Sequence, residues 1–429
     1  MRKMISMIMT ILLVFTMIAK VEPKQAEASS LKITISEFAE ELVKELGTAS
    51  EGITAIDVLM SSGIIKTDEF KDYSKNLTRG DMLMLLSRAD DYLYNTVIDD
   101  KLIEEVIEKR IYDIGKISKD KREDVAKGFI KGLMKGYSNG KFSGNRNLKL
   151  INKITKEGAM ASLKMLKDKS LRAKISPDGQ LIRTTNLPKY AKYFPYILAS
   201  YPNAYYDWQF AYEGQARVNP ETGKRTPYKY LEEYASPVDI DRITDFENFK
   251  EVKEQYVDEW VNKVQTYMEC VFNVDYRTID DEWVNKLLSA DYSHVNKDAE
   301  KITKDEIKHY IWRMKENKTI VESSTIAIDK SSLYFYDGSY FLRTYVKYRI
   351  VSSNEKYGAD VDKLIYENPY GKILYTSFPL VCLNKFTTGE WKEGYFEVEL
   401  SWRDKKSPEN IGVFYAILDE LLYNKRKVK

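Results

Sequence analysis

The sequence predicts a multidomain chain: an all-α repeat module, then an α+β domain with a long helix and an antiparallel sheet. Three observations carry that prediction. An apolar residue followed by threonine opens a helical pattern at Ile33-Thr34, Leu77-Thr78 and Ile154-Thr155. After Thr319 the hydrophobic period changes from helical to two. Only five of the 32 tyrosines precede residue 180, so the two halves differ in composition.

At 429 residues the chain exceeds one ordinary domain, and 43% hydrophobic residues are enough for packed cores. Lys plus Arg number 67 against 65 acids, a balance that argues against nucleic acid as the partner. Cys270 and Cys382 leave one disulfide open and no disulfide framework. His294 and His309 are the only histidines, which removes most imidazole-based metal sites and triads. No phosphate-binding glycine loop, zinc spacing or serine elbow occurs, so no cofactor and no metal are expected.

Met1-Arg2-Lys3 is a basic start, Met4 to Ile18 is apolar, and Ala26-Glu27-Ala28 supplies a small-x-small processing pattern. Residues 1–28 therefore read as a signal peptide cleaved near Ala28-Ser29. The apolar run is short of the roughly 20 residues that span a bilayer. No later stretch is apolar enough to span one, so an extracellular protein without a transmembrane segment after cleavage is expected.

Residues 29–175 read as helical repeats, with copies near 31–50, 51–95 and 105–170. Thr34-x-x-Glu37 is a capping box before Phe38, Leu42, Val43 and Leu46. Thr78-x-x-Asp81 repeats it before Met82, Leu85 and Leu86. Thr155 repeats it with the acid one place early, at Glu157. A short helix ending in glycine precedes the later caps, at Ala55 to Gly63 and again at Val125 to Gly136. Asn139-Gly140 then predicts a tight turn. The threonine spacing is 44 residues and then 77, so the last copy carries extra material, and an insertion is placed at Lys149 to Lys153.

Gly136-Tyr137-Ser138-Asn139-Gly140-Lys141-Phe142, followed by Ile154-Thr155-Lys156 and a helix, resembles the S-layer homology repeat. Leu77-Thr78-Arg79-Gly80-Asp81 is similar to that family's Thr-Arg-Ala-Glu signature. The resemblance covers about a third of the chain. It implies three units packed about a pseudo-threefold axis, with grooves that bind secondary cell-wall polysaccharide, commonly pyruvylated. The residues it assigns to polysaccharide are Thr78, Arg79, Asp81, Gly136, Tyr137, Asn139, Gly140, Thr155 and Lys156. A pyruvyl carboxylate suits unpaired N–H groups at a helix start and the planar fork of an arginine. The first copy has Ile35 where the signature has arginine, the third has Gly158 where it has an acid, and no tryptophan precedes Trp208.

Ser176-Pro177-Asp178-Gly179 marks a boundary, and 176–245 reads as a Tyr/Pro-rich connector with a further turn at Asn219 to Gly223. Its Tyr205, Tyr206 and Trp208 suit either aromatic packing or a sugar platform. The α+β domain occupies 246–429. A long helix is expected from about Phe246 to Phe272, a short one from Asp280 to Leu288, and another opened by Thr303-x-x-Glu306. Strands are expected at Ile320 to Ile328, in a hairpin about Asp337-Gly338, at Ile373 to Leu383 and at Gly394 to Trp402, with a terminal helix from Ser407. A long helix on a curved sheet is similar, by analogy alone, to NTF2-like domains.

Catalysis has no motif. Cys270 could pair with a histidine, but it lies at the apolar end of a helix, where cysteine is a small hydrophobe. Asp280-Asp281-Glu282 could serve glycoside chemistry, but acids at a helix start are dipole partners. The expected function is non-covalent attachment to wall polysaccharide, with a non-catalytic C-terminal interaction domain. Its rivals are an anchored wall or glycan hydrolase and a secreted envelope factor whose repeat module does not bind.

Overall fold

The computed structural model describes residues 31–206, 217–218, 225–226, 249–291, 297–336, 339–354, 388–401 and 411–418. The signal peptide, Trp208, His294, Asp337-Gly338, Cys382, the turn at Asn219 to Gly223, the strand expected over Ile373 to Leu383 and the helix start at Ser407 lie outside them. The fold is mixed, with helices and an antiparallel sheet. It divides into two units. The first runs to Asn139 and resumes over Asn145–Gly179; the second is Gly140–Gly144 with everything from Gln180 onward.

The first unit holds α1 (Ile35–Leu46), α2 (Ala55–Ser61), α3 (Arg79–Tyr94), α4 (Asp100–Glu105), α5 (Lys119–Ile130) and α6 (Lys156–Lys167). It is not wholly helical: β1 (Tyr137–Ser138) pairs antiparallel with β2 (Arg146–Asn147). That ladder puts seven residues, 139–145, between the strands, so Asn139-Gly140 is not a two-residue hairpin turn. Helix α3 is the central element. Met82 to Asp90 are all buried, because the run Met82-Leu83-Met84-Leu85-Leu86 is apolar on every side. Gly128 of α5 lets α3 approach closely, since a Cβ there would sit 2.8 Å from the Leu83 side chain. Burying α3 all round also buries Arg88. Its guanidinium donates to Glu69 Oε2 (2.7 Å), Asp124 Oδ2 (2.8 Å) and the Ile64 carbonyl (3.1 Å). A buried charge paired and hydrogen-bonded in this way avoids the penalty of isolation.

Three segments join the caps in a ring. Ile33 N donates to Ile154 O (3.5 Å), Ile154 N to Leu77 O (3.1 Å), and Leu77 N back to Ile33 O (2.9 Å). A second cycle repeats the rule: Ile35 N to Lys75 O (3.0 Å), Arg79 N to Asn152 O (2.9 Å) and Lys156 N to Leu31 O (2.9 Å). Bridges pair Thr34 with Asn76, Thr78 with Lys153 and Thr155 with Lys32. The apolar residue before each threonine, Ile33, Leu77 and Ile154, is buried. Tyr73 O accepts from Ser36 N (2.9 Å) as Leu150 O accepts from Gly80 N (2.8 Å). Residues 150–156 thus do the work of 73–79, and Lys149 to Lys153 is not an insertion. The extra length between the second and third caps holds α4, a π-turn at Val106–Arg110 and a 3-10 turn at Ile114–Lys116.

In the second unit α7 (Asn203–Tyr206) precedes the two-residue ladder β3 (Arg217–Val218) and β4 (Arg225–Thr226). Next come α8 (Phe249–Phe272), β5 (Val274–Asp275), α9 (Asp281–Ala290) and α10 (Lys297–Glu316). The sheet contains β6 (Ile320–Ile328), β7 (Tyr334–Tyr336), β8 (Ser339–Ser352), β9 (Lys392–Ser401) and β10 (Gly412–Leu418). Its order is β10-β9-β8-β6-β5, with β7 paired to β8 and every strand pair antiparallel. Trp260, Val264, Tyr267, Met268 and Val271 of α8 form one core with Tyr340, Leu342, Val346, Val398 and Leu400 of the sheet. Two expectations change here. Helix α10 starts at Lys297, so Thr303 lies inside it and is no cap. Residues 412–418 form a strand where a terminal helix was expected.

Residues 180–206 pack onto the sheet: Phe194, Ile197, Leu198, Tyr201, Tyr205 and Tyr206 form a separate cluster with Ala327, Tyr345 and Tyr395. Tyr205 and Tyr206 are fully buried, which removes them as a sugar platform. Tyr206 Oη donates to Asp329 Oδ2 (2.7 Å), and Arg343 Nη1 donates to the carbonyls of Tyr205 (3.2 Å) and Tyr206 (3.1 Å). Burial, with the Asp329 carboxylate next in weight, holds both phenols far above the usual tyrosine range. Phe142 stacks on Tyr345 with ring centroids 3.9 Å apart.

Candidate functional site

The ring decides what its rim can offer. At α3 the first N–H groups are taken: Arg79 N by Asn152, Gly80 N by Leu150 and Asp81 N by the Thr78 hydroxyl (3.0 Å). At α1 Ile35 N, Ser36 N and Glu37 N are likewise bonded, to Lys75, Tyr73 and Thr34 Oγ1. At α6 Lys156 N goes to Leu31 and Gly158 N to Thr155 Oγ1 (3.1 Å). The expected hand of unpaired N–H groups for a carboxylate is therefore absent from α1 and α3. Thr78 is also spent, since its hydroxyl donates to Asp81 Oδ2 (2.6 Å), while Asp81 Oδ1 accepts from Lys121 (2.7 Å). Thr78, Asp81 and Thr155 build the fold at this rim.

What remains is side-chain chemistry around Tyr137. Arg79 donates Nε to Leu148 O (2.7 Å), which fixes the guanidinium; its two terminal nitrogens make no hydrogen bond among the described residues. The guanidinium carbon lies 5.5 Å from the Tyr137 ring centroid, and Lys149 Nζ lies 4.0 Å from it. Tyr137 is 47% exposed. Two cations at one exposed ring make a compact basic-aromatic surface.

Buried groups hold that surface in place. Asp113, 2% exposed, accepts from Leu148 N (2.8 Å) and Leu150 N (2.7 Å), the residues either side of Lys149. Lys149 itself has φ +54°, left-handed for a non-glycine residue, with its N–H donating to Asn147 Oδ1 (3.0 Å). Such a conformation costs roughly 1–2 kcal/mol and persists where surroundings impose it. Arg146 donates to Lys135 O (3.1 Å) and Gly136 O (3.0 Å), and burial lowers its pKa. Gly136 sits at φ +61°, which strains any other residue, and a Cβ there would also press on Leu148 Cδ2 at 2.4 Å.

The structure thus brings Arg79 and Tyr137 together and leaves other expected residues elsewhere. Asn139 donates to Asn145 Oδ1 (2.6 Å), and Gly140 belongs to the second unit. Lys156 is exposed and lies near Glu37 rather than Tyr137. Ile35 is buried, so the start of α1 offers no cation at that position. Lys149 and Asp113 were missed. Asn147-x-Lys149 was the available signal, since asparagine accepts from the N–H two residues on and favours a turn there.

In the second unit, Cys270 is buried and burial pushes its thiol up to about 11, so a reactive thiolate is disfavoured. Asp280 Oδ1 accepts from Glu282 N (3.0 Å) and Trp283 N (3.1 Å), the role of a helix cap. No group of three His, Cys, Asp or Glu side chains among the described residues could hold a metal ion. No helix among them is long and apolar enough to cross a membrane. No family model matches the chain, and neither the characterised proteins nor the solved structures contain a match to it.

Proposed function

We propose that this chain is an exported surface protein held non-covalently on cell-wall polysaccharide by its N-terminal unit, with the C-terminal unit as a non-catalytic interaction domain. The N-terminal unit is read as divergent S-layer homology repeats. One observation carries the reading: three threonine-capped segments joined by cyclic hydrogen bonds, with Arg79, Tyr137 and Lys149 clustered beside the second cap. A sugar bearing a carboxylate matches that cluster, with its acid on the open guanidinium nitrogens and the lysine and its apolar ring face against tyrosine. Contact comes from side chains and not from the helix N–H groups, so binding should depend on Arg79 more than on Thr78.

Co-sedimentation of the mature chain with purified wall, against wall stripped of its secondary polysaccharide, tests this. Arg79→Ala should weaken binding by about 1.5–3 kcal/mol, roughly 10- to 150-fold. Equal sedimentation of wild type with intact and stripped wall would sink the reading. Loss of binding that Arg79→Ala does not share would move the contact elsewhere.

A further inference from the structure

A cavity of about 390 Å³ lies in the second unit, between α8, α9 and β6. That falls within the roughly 300–1,000 Å³ of small-ligand sites. Its walls are polar but carry no net charge. Glu269 Oε1 accepts from Gln265 Nε2 (2.9 Å) and Oε2 from Lys286 Nζ (3.1 Å), so the carboxylate is both oriented and neutralised. An anion entering here would face Glu269, and a cation would face Lys286.

Strand β6 supplies the second observation. A regular strand sends successive side chains to opposite faces. Against β8 the register of β6 shifts between Ser323 and Thr325, and Ser323, Ser324 and Thr325 all line this one cavity. Bulges of this kind re-aim side chains next to binding sites. Ser323 Oγ donates to Asn273 Oδ1 (2.9 Å) and Ser324 Oγ to the Lys347 carbonyl (3.5 Å). Hydroxyls and the carboxamides of Gln265 and Asn273 thus line the space as one fixed polar wall, in which Thr325 Oγ1 makes no hydrogen bond among the described residues. Trp283 forms a further wall. Its ring is stacked on Tyr310 (centroids 6.0 Å, interplanar 12°), and its buried indole N–H has no acceptor among the described residues. That nitrogen is buried in the wall, so Trp283 offers a ligand its ring rather than a hydrogen bond.

The geometry points to a binding site for a neutral saccharide, separate from the basic-aromatic surface of the first unit. Sugar hydroxyls donate and accept at once, which matches mixed amide, hydroxyl and carboxylate partners, and a pyranose offers an apolar face to an indole. An extended peptide is the competing occupant, because β5 pairs only with Ile320 and Val321 and leaves the rest of that β6 edge without a strand among the described residues. The bulge disfavours it, since bulges twist an edge away from pairing. Asn273 Oδ1 also already takes the Ser323 N–H (2.9 Å). This inference does not rest on wall attachment.

Saturation-transfer NMR of the mature chain with chitotetraose and with maltotetraose tests it. Wild type should transfer saturation to at least one of these neutral probes. Ser324→Tyr, at an exposed position, fills the cavity and should weaken that binding at least tenfold; Glu269→Gln should do the same through loss of the oriented carboxylate. Thermal melting of each variant confirms that it is folded. Lys44→Ala, at an exposed position of the first unit, should leave the transfer unchanged. In parallel, the variants are sedimented with purified wall. A defect there assigns the ligand to a wall glycan, and normal sedimentation assigns it to a soluble one. The proposal is overturned if wild type binds neither tetrasaccharide, if both folded variants bind as well as wild type, or if an uncharged extended hexapeptide shifts the β6 amides and the sugars do not.

Discussion

The threonine caps of the first unit and the buried side-chain network of the second satisfy their polar groups over different distances in the chain. In the first, threonine and its partner sit three residues apart: Thr34 with Glu37, Thr78 with Asp81, Thr155 with the Gly158 amide. In the second, Tyr206 meets Asp329 and Arg343 meets Tyr205, across more than a hundred residues. Local satisfaction leaves many small independent contributions. Long-range satisfaction gathers the cost of failure into a few buried groups. Substitutions of the two kinds should therefore differ in size, and measuring them tests the contrast.

The largest effect is expected at Arg343, which is 1% exposed. Arg343→Ala strands the buried Tyr205 and Tyr206 carbonyls and empties the space its side chain fills, at a cost of about 2–6 kcal/mol. Every tryptophan lies after residue 207, so tryptophan fluorescence in a denaturant titration reports the second unit. An unchanged midpoint would mean that the buried network contributes little. Thr78→Ala removes one cap and should cost about 1 kcal/mol, read by circular dichroism on thermal unfolding. A loss as large as that at Arg343 would erase the contrast.

The smallest effect is a difference in pH response between two caps. Hydrogen bonds from the Thr34 backbone N–H, then from its hydroxyl, hold Glu37 below the usual carboxylate range. A depressed folded pKa gives stability that is present above the unfolded value and lost as pH falls through the folded one. The start of α1 should thus lose amide-exchange protection below about pH 4. The start of α6, where Gly158 replaces the acid, should not. Glu37→Gln should abolish the difference; equal acid sensitivity at both helices would refute the assignment.

Legibility in the sequence followed the same division. The capping box at Thr34 and the threonine caps of α3 and α6 were readable, because cap and partner lie within one turn. The ring was not, because its rungs join residues 31–35, 75–79 and 152–156 through backbone groups that any side chain carries. That is why the N–H groups expected to be open proved to be occupied. Arg79 was named from its place beside a cap, yet its neighbour Lys149 depends on a left-handed backbone and on Asp113, 36 residues away. In the second unit, period-two patterning located β6 and β8, while the α10 start failed because Thr303-x-x-Glu306 mimics a cap within a longer helix. The abundance of tyrosine was visible, but not which tyrosines are buried.

A closed cycle of strands differs from an open stack in one respect that matters during synthesis. An open stack gains stability each time another unit emerges, whereas here Leu31 and Ile33 can complete their bonds only after Ile154 and Lys156 have been made. The earliest-made segment must wait for the latest, so the module should lock in a single late step and should not tolerate loss of either extremity. The hydrogen bonds of the three joined segments close on one another, so each depends on the other two.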